Sequence, residues 1–531
     1  MTLSMIFAVI AGGALAGMMF CLCSQRLAAI LQQEGYDGRA FLKWYYRSRN
    51  IERKKASLLA LAIALLTALF CVCFSFAGYA VANLVSVAPF FGIALLYYFA
   101  ESRHALKVPA RPTARYVRLI AAYAFAVFAL CIGLGFALTA ISLAADEKWV
   151  YLLRYVPFCL VPLVCPLLLP LVNGMMKVYE VPHTNKFIKR AKAALAASPC
   201  IKAGITGSFG KTTVKHIAAA ILSEKYRVIA TPASFNTPAG IARAVNEGGL
   251  DCDIFLAEMG ARRTGDIAAL CDMVCPTLGV VTGVTCQHLA TFGSEDAIRA
   301  EKGVLAARAA KCVLGRSVAD MGGADALVMG RDFAAEGVEL SLTGTRFTLR
   351  LPAGSVPVFV PLLGRHAADD VALAAALCTL LGMTPEEIAA GLANVQPVAH
   401  RLERTEADGV TILDDAYNCN PEGAKNAVEV LRLAAGRKFV VTPGIVELGQ
   451  LEEAENEALG ACLVGLDRVI LVGETLVLDV RNGYLAAGGA ADALTIVPTL
   501  AAAQAVLAKE LAAGDCVLFL NDLPDKFACR S

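Results

Sequence analysis

The chain has 531 residues, a net charge of +2 and 57% hydrophobic residues, with a mean hydropathy of +0.59. So small a net charge excludes a nucleic-acid binder that works by neutralising many phosphates, and the hydropathy excludes a purely soluble enzyme. The length allows about two to four domains. The 18 cysteines include no C-x-x-C pair and read as reduced, small apolar side chains, which places the catalytic part in the cytoplasm.

The apolar excess lies at the amino-terminal end. Residues 1–24 are uncharged and long enough to cross a hydrocarbon core of about 30 Å. Without a basic start or a small-residue cleavage site they read as a retained anchor, not a signal peptide. Residues 25–55 are basic and aromatic, with Arg39, Lys43, Arg47, Arg49, Arg53, Lys54 and Lys55 among Phe41, Trp44, Tyr45 and Tyr46, as in a membrane-surface segment. Residues 56–100 are again uncharged, enough for two spans. A basic loop over 101–118 leads to uncharged runs at 119–145 and 155–176. About five spans with the amino terminus outside put every basic segment on the cytoplasmic side. No span carries a central ion pair, so anchoring is preferred over transport.

From Pro199 the texture changes to short apolar runs alternating with helical stretches. Strands near 201–205, 227–230, 253–258 and 278–282 predict a doubly wound α/β domain, followed by a helical pair over 368–393. Strands at 410–413, 438–442, 468–472 and 515–519 predict a second α/β unit. The resulting division is a membrane region over 1–176, a basic linker over 177–198, a central domain over 199–398 and a carboxyl-terminal domain over 399–531.

The stretch Gly204-Ile205-Thr206-Gly207-Ser208-Phe209-Gly210-Lys211-Thr212-Thr213 is written as a phosphate-binding loop. Gly207 and Gly210 let backbone amides of the Ser208 to Thr213 turn face inward. The helix start adds positive potential, Lys211 reaches the outer phosphates of ATP and Thr212 can ligate Mg2+. The spacing departs from Walker A, which requires glycine where Ile205 stands. A chance glycine turn with a solvated lysine is the competing reading. Glu258 ends a strand at the edge where such sheets bind ligands and is a candidate metal ligand, or else a surface acid. His288 follows the next strand; by itself a lone histidine is more often structural.

The order and wording of these pieces, with S-F-N-T-P-A-G (234–240), A-E-M-G-A-R-R-T-G-D-I (257–267), H-L-A-T-F-G-S (288–294), A-E-K-G-V-L (300–305) and L-D-D-A-Y-N-C-N-P (413–421), resemble the Mur ligase family. The resemblance is to the branch that adds D-alanyl-D-alanine, and it covers about 199–531. It implies two α/β domains, a P-loop central domain and a Rossmann-like carboxyl-terminal domain, which here follow the α-helical transmembrane region read from the apolar runs and lying outside the resemblance. It also implies ATP and two Mg2+ ions, with Lys211 and Thr212 on the phosphates and first metal, Glu258 beside them and His288 on the second metal. Lys302, in A-E-K-G, matches a lysine that family members carbamylate, although a solvated helix lysine reads the same. Arg401, Asp415 and Asn418 match nucleotide-contacting positions, and Ser234, Asn236, Thr237 and Arg262 lie in motifs facing the precursor. The implied enzyme sits in a bacterial cell membrane by several spans with its catalytic domains cytoplasmic. It joins a cell-wall precursor, a UDP-muramoyl peptide or a lipid-linked one, to an amino acid or dipeptide, with membrane lipid as a further partner and no nucleic acid.

Departures from the family pattern are equally legible. G-x-H-N-x-x-N becomes Gly364-Arg365-His366-Ala367-Ala368-Asp369-Asp370, so both asparagines are absent. The late K-G-S becomes Leu520-Asn521-Asp522, and G-D-M-x-E-L-G becomes Pro443-Gly444-Ile445-Val446-Glu447-Leu448-Gly449. The soluble UDP-sugar-binding domain is replaced by the membrane region. A polyglutamate or capsule-type ligase and a catalytically silent membrane scaffold are the alternatives. The glutamine-dependent amidating relatives carry a four-cysteine zinc ribbon whose spacing is missing.

Overall fold

The computed structural model describes residues 3–46, 51–73, 109–145, 160–285, 289–417, 419–474 and 476–521. It divides into two compact units, one up to Pro182 and one from His183 to Asp522. The stretch 74–100, most of the run expected to hold two spans, and the connection at 146–154 lie outside the described residues, as do His288 and Asn418.

The first unit holds α1 (Leu3–Cys23), α2 (Gln25–Gln33), α3 (Gly38–Tyr45), α4 (Ile51–Cys73), α5 (Ala114–Ala145) and the first part of α6 (Val161–Ala197). Among the described residues two helical stretches, Ala114–Ile141 and Val161–Ala197, are long and apolar enough to cross a membrane. A third is added if the pair Val9–Cys23 and Gln25–Gln33, bent by 44°, counts as one span. Helices α1 and α5 approach closely where Gly13 faces Ile132 and Gly17 faces Phe128. A Cβ at either glycine would lie 2.8 or 3.0 Å from its neighbour, the small-residue packing typical of apolar helix pairs. The aromatic residues of α3 turn inward: Phe41, Trp44 and Tyr45 belong to this unit's buried core. Asp37 caps the helix by accepting from the Arg39 and Ala40 amides.

The second unit is built on two six-stranded sheets. The first is parallel, in the order β2-β3-β1-β4-β5-β6, with β1 at Ile201–Thr206, β2 at Val228–Ala230, β3 at Ile254–Glu258, β4 at Leu278–Val281, β5 at Lys311–Leu314 and β6 at Leu327–Val328. Every residue of β3 and β4 is buried, as a parallel sheet covered on both faces requires. Alternate residues serve the two faces. Ala203, Ile205, Ile254 and Leu256 pack against α7 (Lys211–Leu222) and α11 (Arg365–Leu380). Phe255 and Ala257 pack against α8 (Pro238–Gly248), α9 (Asp266–Val274), α10 (Glu295–Arg308) and the end of α6 at Ala191 and Leu195. An antiparallel sheet of β7 (Ala334–Ser341), β8 (Gly344–Leu351) and β9 (Gly354–Val360) joins the first of these cores. It was not among the sequence expectations, although the alternation of β8, with Phe347, Leu349 and Leu351 buried, carries the period of a half-buried strand.

Helix α12 (Pro385–Leu392) leads to the second sheet, in the order β10-β11-β15-β12-β13-β14. Its strands are β10 (Glu403–Ala407), β11 (Val410–Asp415), β12 (Lys438–Thr442), β13 (Arg468–Val472), β14 (Leu494–Val497) and β15 (Cys516–Leu520). All pairings are parallel except β10 with β11. Helices α13 (Pro421–Leu431), α14 (Glu452–Cys462), α15 (Val477–Ala486) and α16 (Leu500–Glu510) cover it.

Two of the segments that depart from the family pattern meet here. The loop after β12 is held by Asn456, whose Oδ1 accepts from the Ile445 amide at 2.8 Å and whose Nδ2 donates to the Ile445 and Glu452 carbonyls at 2.9 and 2.7 Å. Asn521 Nδ2 donates to the Gly444 carbonyl at 2.7 Å. Since Asn456 is fully buried, Asn456→Ala strands backbone polar groups and is expected to lower stability by about 2–4 kcal/mol. Urea unfolding of the purified protein measures this.

Candidate active site

The site begins at the turn from β1 to α7. Gly207 has φ +148° and Gly210 has φ +71°, conformations that favour glycine. A Cβ on Gly207 would lie 2.0 Å from Thr282 Oγ1, so the turn runs directly against the end of β4. The Ser208 amide donates to the Gly283 carbonyl at 2.8 Å, and Thr282 Oγ1 donates to the Phe209 carbonyl. Gly210 begins α7 without a side-chain cap or an acid in the first turn. Its leading amides are therefore offered to an anion with the dipole behind them. Lys211 Nζ donates to the carbonyls of Gly207 at 2.7 Å and Ser208 at 3.3 Å, lying over the loop. Thr212 is buried and Thr213 half-buried at the same helix start.

Glu258, at the carboxyl end of β3, is 1% exposed. Its Oε2 forms an ion pair with Lys215 Nζ at 3.0 Å, and its Oε1 accepts from Asn236 Nδ2 at 3.1 Å. Lys215 was not a predicted site residue. It stands four positions after Lys211, one helical turn on, so the same face of α7 carries both ammonium groups. Lys215 Nζ also donates to the Ala233 carbonyl. Burial lowers its pKa below the ordinary lysine value, with Glu258 opposing.

Lys302 lies on α10, 3% exposed. Burial, with Lys211 acting in the same direction and Glu301 and Asp266 opposing, pushes its pKa down from 10.5 to about 7. Lys211 is pushed down to about 8 by burial and Arg401, against Glu258. Glu301, a second residue that sequence reading passed over, accepts from the Gly265 and Ile267 amides at 2.8 and 2.7 Å, fixing the start of α9 beside Lys302.

The residues expected to face the precursor divide. Ser234 Oγ lies 2.6 Å from Tyr417 Oη, and Asn236 is turned to Glu258. Thr237 caps α8 by accepting from the Gly240 amide, while Arg262 is exposed beyond β3, its amide donating to Asp266. On the other side, the Arg401 guanidinium lies 4.3 Å over the Tyr417 ring, and Asp415 Oδ1 accepts from the Leu402 amide. Burial raises Asp415 to about 6, with Arg401 pulling it down. Asp370 is buried with its carboxyl against Gly210, where a Cβ would meet Oδ1 at 2.4 Å. Burial and then Asp369 raise its pKa well above the ordinary carboxylate value, Arg401 opposing. Ala367 presents only a buried methyl. His400, Glu403 and Asp414 form a further polar cluster, in which His400 Nδ1 and Asp414 Oδ2 are 2.7 Å apart.

The structure thus brings Glu258, Lys302 and Arg401 within electrostatic reach of Lys211, and Asp415 within reach of Arg401. A pH dependence follows from Lys302. The unfolded chain holds that proton up to pH 10.5 and the folded chain only to about 7, so stability gains with rising pH across that window. Replacing Lys302 by Met is expected to flatten the gain, measured as the slope of unfolding free energy between pH 7 and 10 in urea melts.

Two family models and several known proteins match this chain. The Mur ligase middle domain matches residues 205–378 and the Mur ligase glutamate ligase domain residues 400–521. The UDP-N-acetylmuramoyl-tripeptide--D-alanyl-D-alanine ligase of Mycobacterium bovis is 32% identical over 371 residues, covering 63% of this chain and 72% of its own. The Escherichia coli enzyme of that name is 32% identical over 294 residues, covering 52% and 65%. Among solved structures, MurF of Acinetobacter baumannii superposes with a TM-score of 0.59 at 23% identity, covering 65% of this chain and 78% of its own, a likeness of fold. MurF of Thermotoga maritima in complex with ADP superposes with a TM-score of 0.57 at 25% identity, covering 64% and 80%. The chain belongs to the Mur ligase family of ATP-dependent ligases that form carbon–nitrogen bonds.

Proposed function

We propose that this chain is a membrane-anchored ligase of peptidoglycan precursor synthesis. It activates the carboxylate of a muramoyl peptide with ATP and joins it to an amine such as that of D-alanyl-D-alanine, the substrates that the relatives' names carry. The observation that carries the reading is the convergence of the uncapped, glycine-bounded start of α7 with Lys211, Glu258 and Lys302. The helices at Ala114–Ile141 and Val161–Ala197 support the anchoring, with the catalytic domains on the cytoplasmic side and domain limits at 176, 198 and 398.

The site fits both groups it would hold. The free amides of α7 and the Lys211 ammonium suit the ATP phosphates. Glu258 has each oxygen engaged once, leaving a lone pair on each, and the Thr212 hydroxyl stands at the helix start, a hard oxygen set that suits Mg2+. Mg2+ bound there supplies charge neutralisation for the transferring phosphoryl group. The family resemblance adds His288 to a second ion and the nucleotide contacts of Arg401, Asp415 and Asn418. Lys211 leaves the loop carbonyls for the outer phosphates and stabilises charge as the γ-phosphoryl passes to the acceptor carboxylate, giving an acyl phosphate and ADP. The amine attacks the acyl carbon and phosphate leaves with the carboxylate oxygen. Bonds such as Ser234 with Tyr417 and Arg365 with Glu429 at 3.1 Å tie the two sheets' domains together and help keep water from the intermediate. A lysine titrating near neutrality has the free amine that carbamate formation requires, so Lys302 suits carbamylation.

Full-length protein in detergent, given ATP, Mg2+, UDP-muramoyl tripeptide and D-alanyl-D-alanine, is expected to release phosphate only when both substrates are present. Lys211→Ala is expected to reduce this about a hundredfold or more. No turnover with any muramoyl peptide or lipid-linked acceptor would contradict the reading. With 13C-bicarbonate, a carbamate carbon resonance is expected in the wild type and absent from Lys302→Ala.

A further inference from the structure

The lysine of the buried ion pair behind the phosphate loop, Lys215, has no role in the reading above. Lys215 is 0% exposed and Glu258 1%, and an isolated buried carboxylate costs several kcal/mol. Lys215 Nζ meets this one carboxylate at 3.0 Å and otherwise the neutral Ala233 carbonyl. The other carboxylate oxygen has only the neutral Asn236 amide. The charge on Glu258 is therefore balanced from within α7 before any ligand arrives. With Lys211 also acting on Glu258, the local balance among these three groups is one carboxylate against two ammonium groups, which repels a bare divalent cation. A nucleotide reverses the sign, because its phosphates bring several negative charges and draw Lys211 to themselves.

We propose that Lys215 is the resident counter-ion of Glu258, a positioning residue that holds the carboxylate oriented and keeps the site from taking a divalent cation ahead of the nucleotide. The inference rests on the reading of Glu258 as a metal ligand. Metal and nucleotide then load together, and removing the charge at position 215 should let Glu258 hold a cation alone.

The test uses full-length protein in detergent and Mn2+ as the probe, with the unbound ion followed by electron paramagnetic resonance in the absence of nucleotide. Lys215→Gln keeps a hydrogen-bond donor while removing the charge. It is expected to bind Mn2+ at least about tenfold more tightly than wild type and to gain more thermal stability from Mg2+. Lys215→Arg should behave as wild type, and Glu258→Gln added to Lys215→Gln should abolish the gain. A Lys215→Gln protein that folds only with Mg2+ or Mn2+ present supports the proposal in the same way. Binding that is unchanged or weaker, a gain that survives Glu258→Gln, or a protein that stays unfolded with metal would overturn it. A separate arm measures Mn2+ with a non-hydrolysable ATP analogue. If Glu258→Gln has no effect there, Glu258 is not a ligand and both readings fall. If it weakens binding while Lys215→Gln does not tighten it without nucleotide, only the counter-ion inference falls.

Discussion

Residue 207 has room for a hydrogen and nothing larger. With φ at +148° and a Cβ position 2.0 Å from Thr282 Oγ1, the backbone of the β1–α7 turn is pressed onto the end of β4. The Ser208 amide bonds to Gly283 across that contact. The approach sets the height of α7 over the sheet, and with it the positions of Lys211, Thr212 and Lys215. Because β1 lies between β3 and β4, the same contact fixes where Glu258 meets the helix. One steric constraint thus places the phosphate cradle, the candidate metal ligand and its ion-pair partner together.

Charge is the second organising feature. Lys211, Lys215 and Lys302 are drawn into one region against Glu258, with Arg401 contributing from the far side. Burial lowers each lysine's affinity for its proton, with Arg401 adding to the effect at Lys211 and Lys211 adding to it at Lys302. A site of this kind is unfavourable when empty of anions and favourable once phosphates arrive, which is the electrostatic preorganisation that phosphoryl transfer demands. Asp370 sits against Gly210 where the family pattern has asparagine. Burial holds its carboxyl toward the neutral form, which limits the charge that this substitution adds beside the phosphate loop.

Local sequence carried much of this. The strands at 201–206, 254–258, 438–442 and 468–472 stand within a residue of expectation, because fully buried parallel strands read as continuous apolar runs. The tight turn from β1 into α7 was legible from its glycines, which take positive φ there. Lys215 was not, since nothing local distinguishes a buried ion-paired lysine from a solvated one; the carboxylate it meets is 43 residues away. Beside their expected place among precursor contacts, Asn236 donates to Glu258, a bond set by a tertiary neighbour, and Thr237 caps α8. The short antiparallel sheet at 334–360 escaped for a related reason: its strands bury only one face, and that burial depends on α11, which follows them in the chain.

The account turns on whether a carboxylate is activated by the γ-phosphoryl group of ATP. The direct measurement is isotopic. A muramoyl peptide carrying 18O in its reacting carboxylate is turned over with ATP and D-alanyl-D-alanine, and the released inorganic phosphate is analysed by mass spectrometry. The expected result is 18O transferred from the carboxylate into phosphate, one atom for each bond made. Amide formation with unlabelled phosphate, or with 18O recovered in AMP, would contradict it.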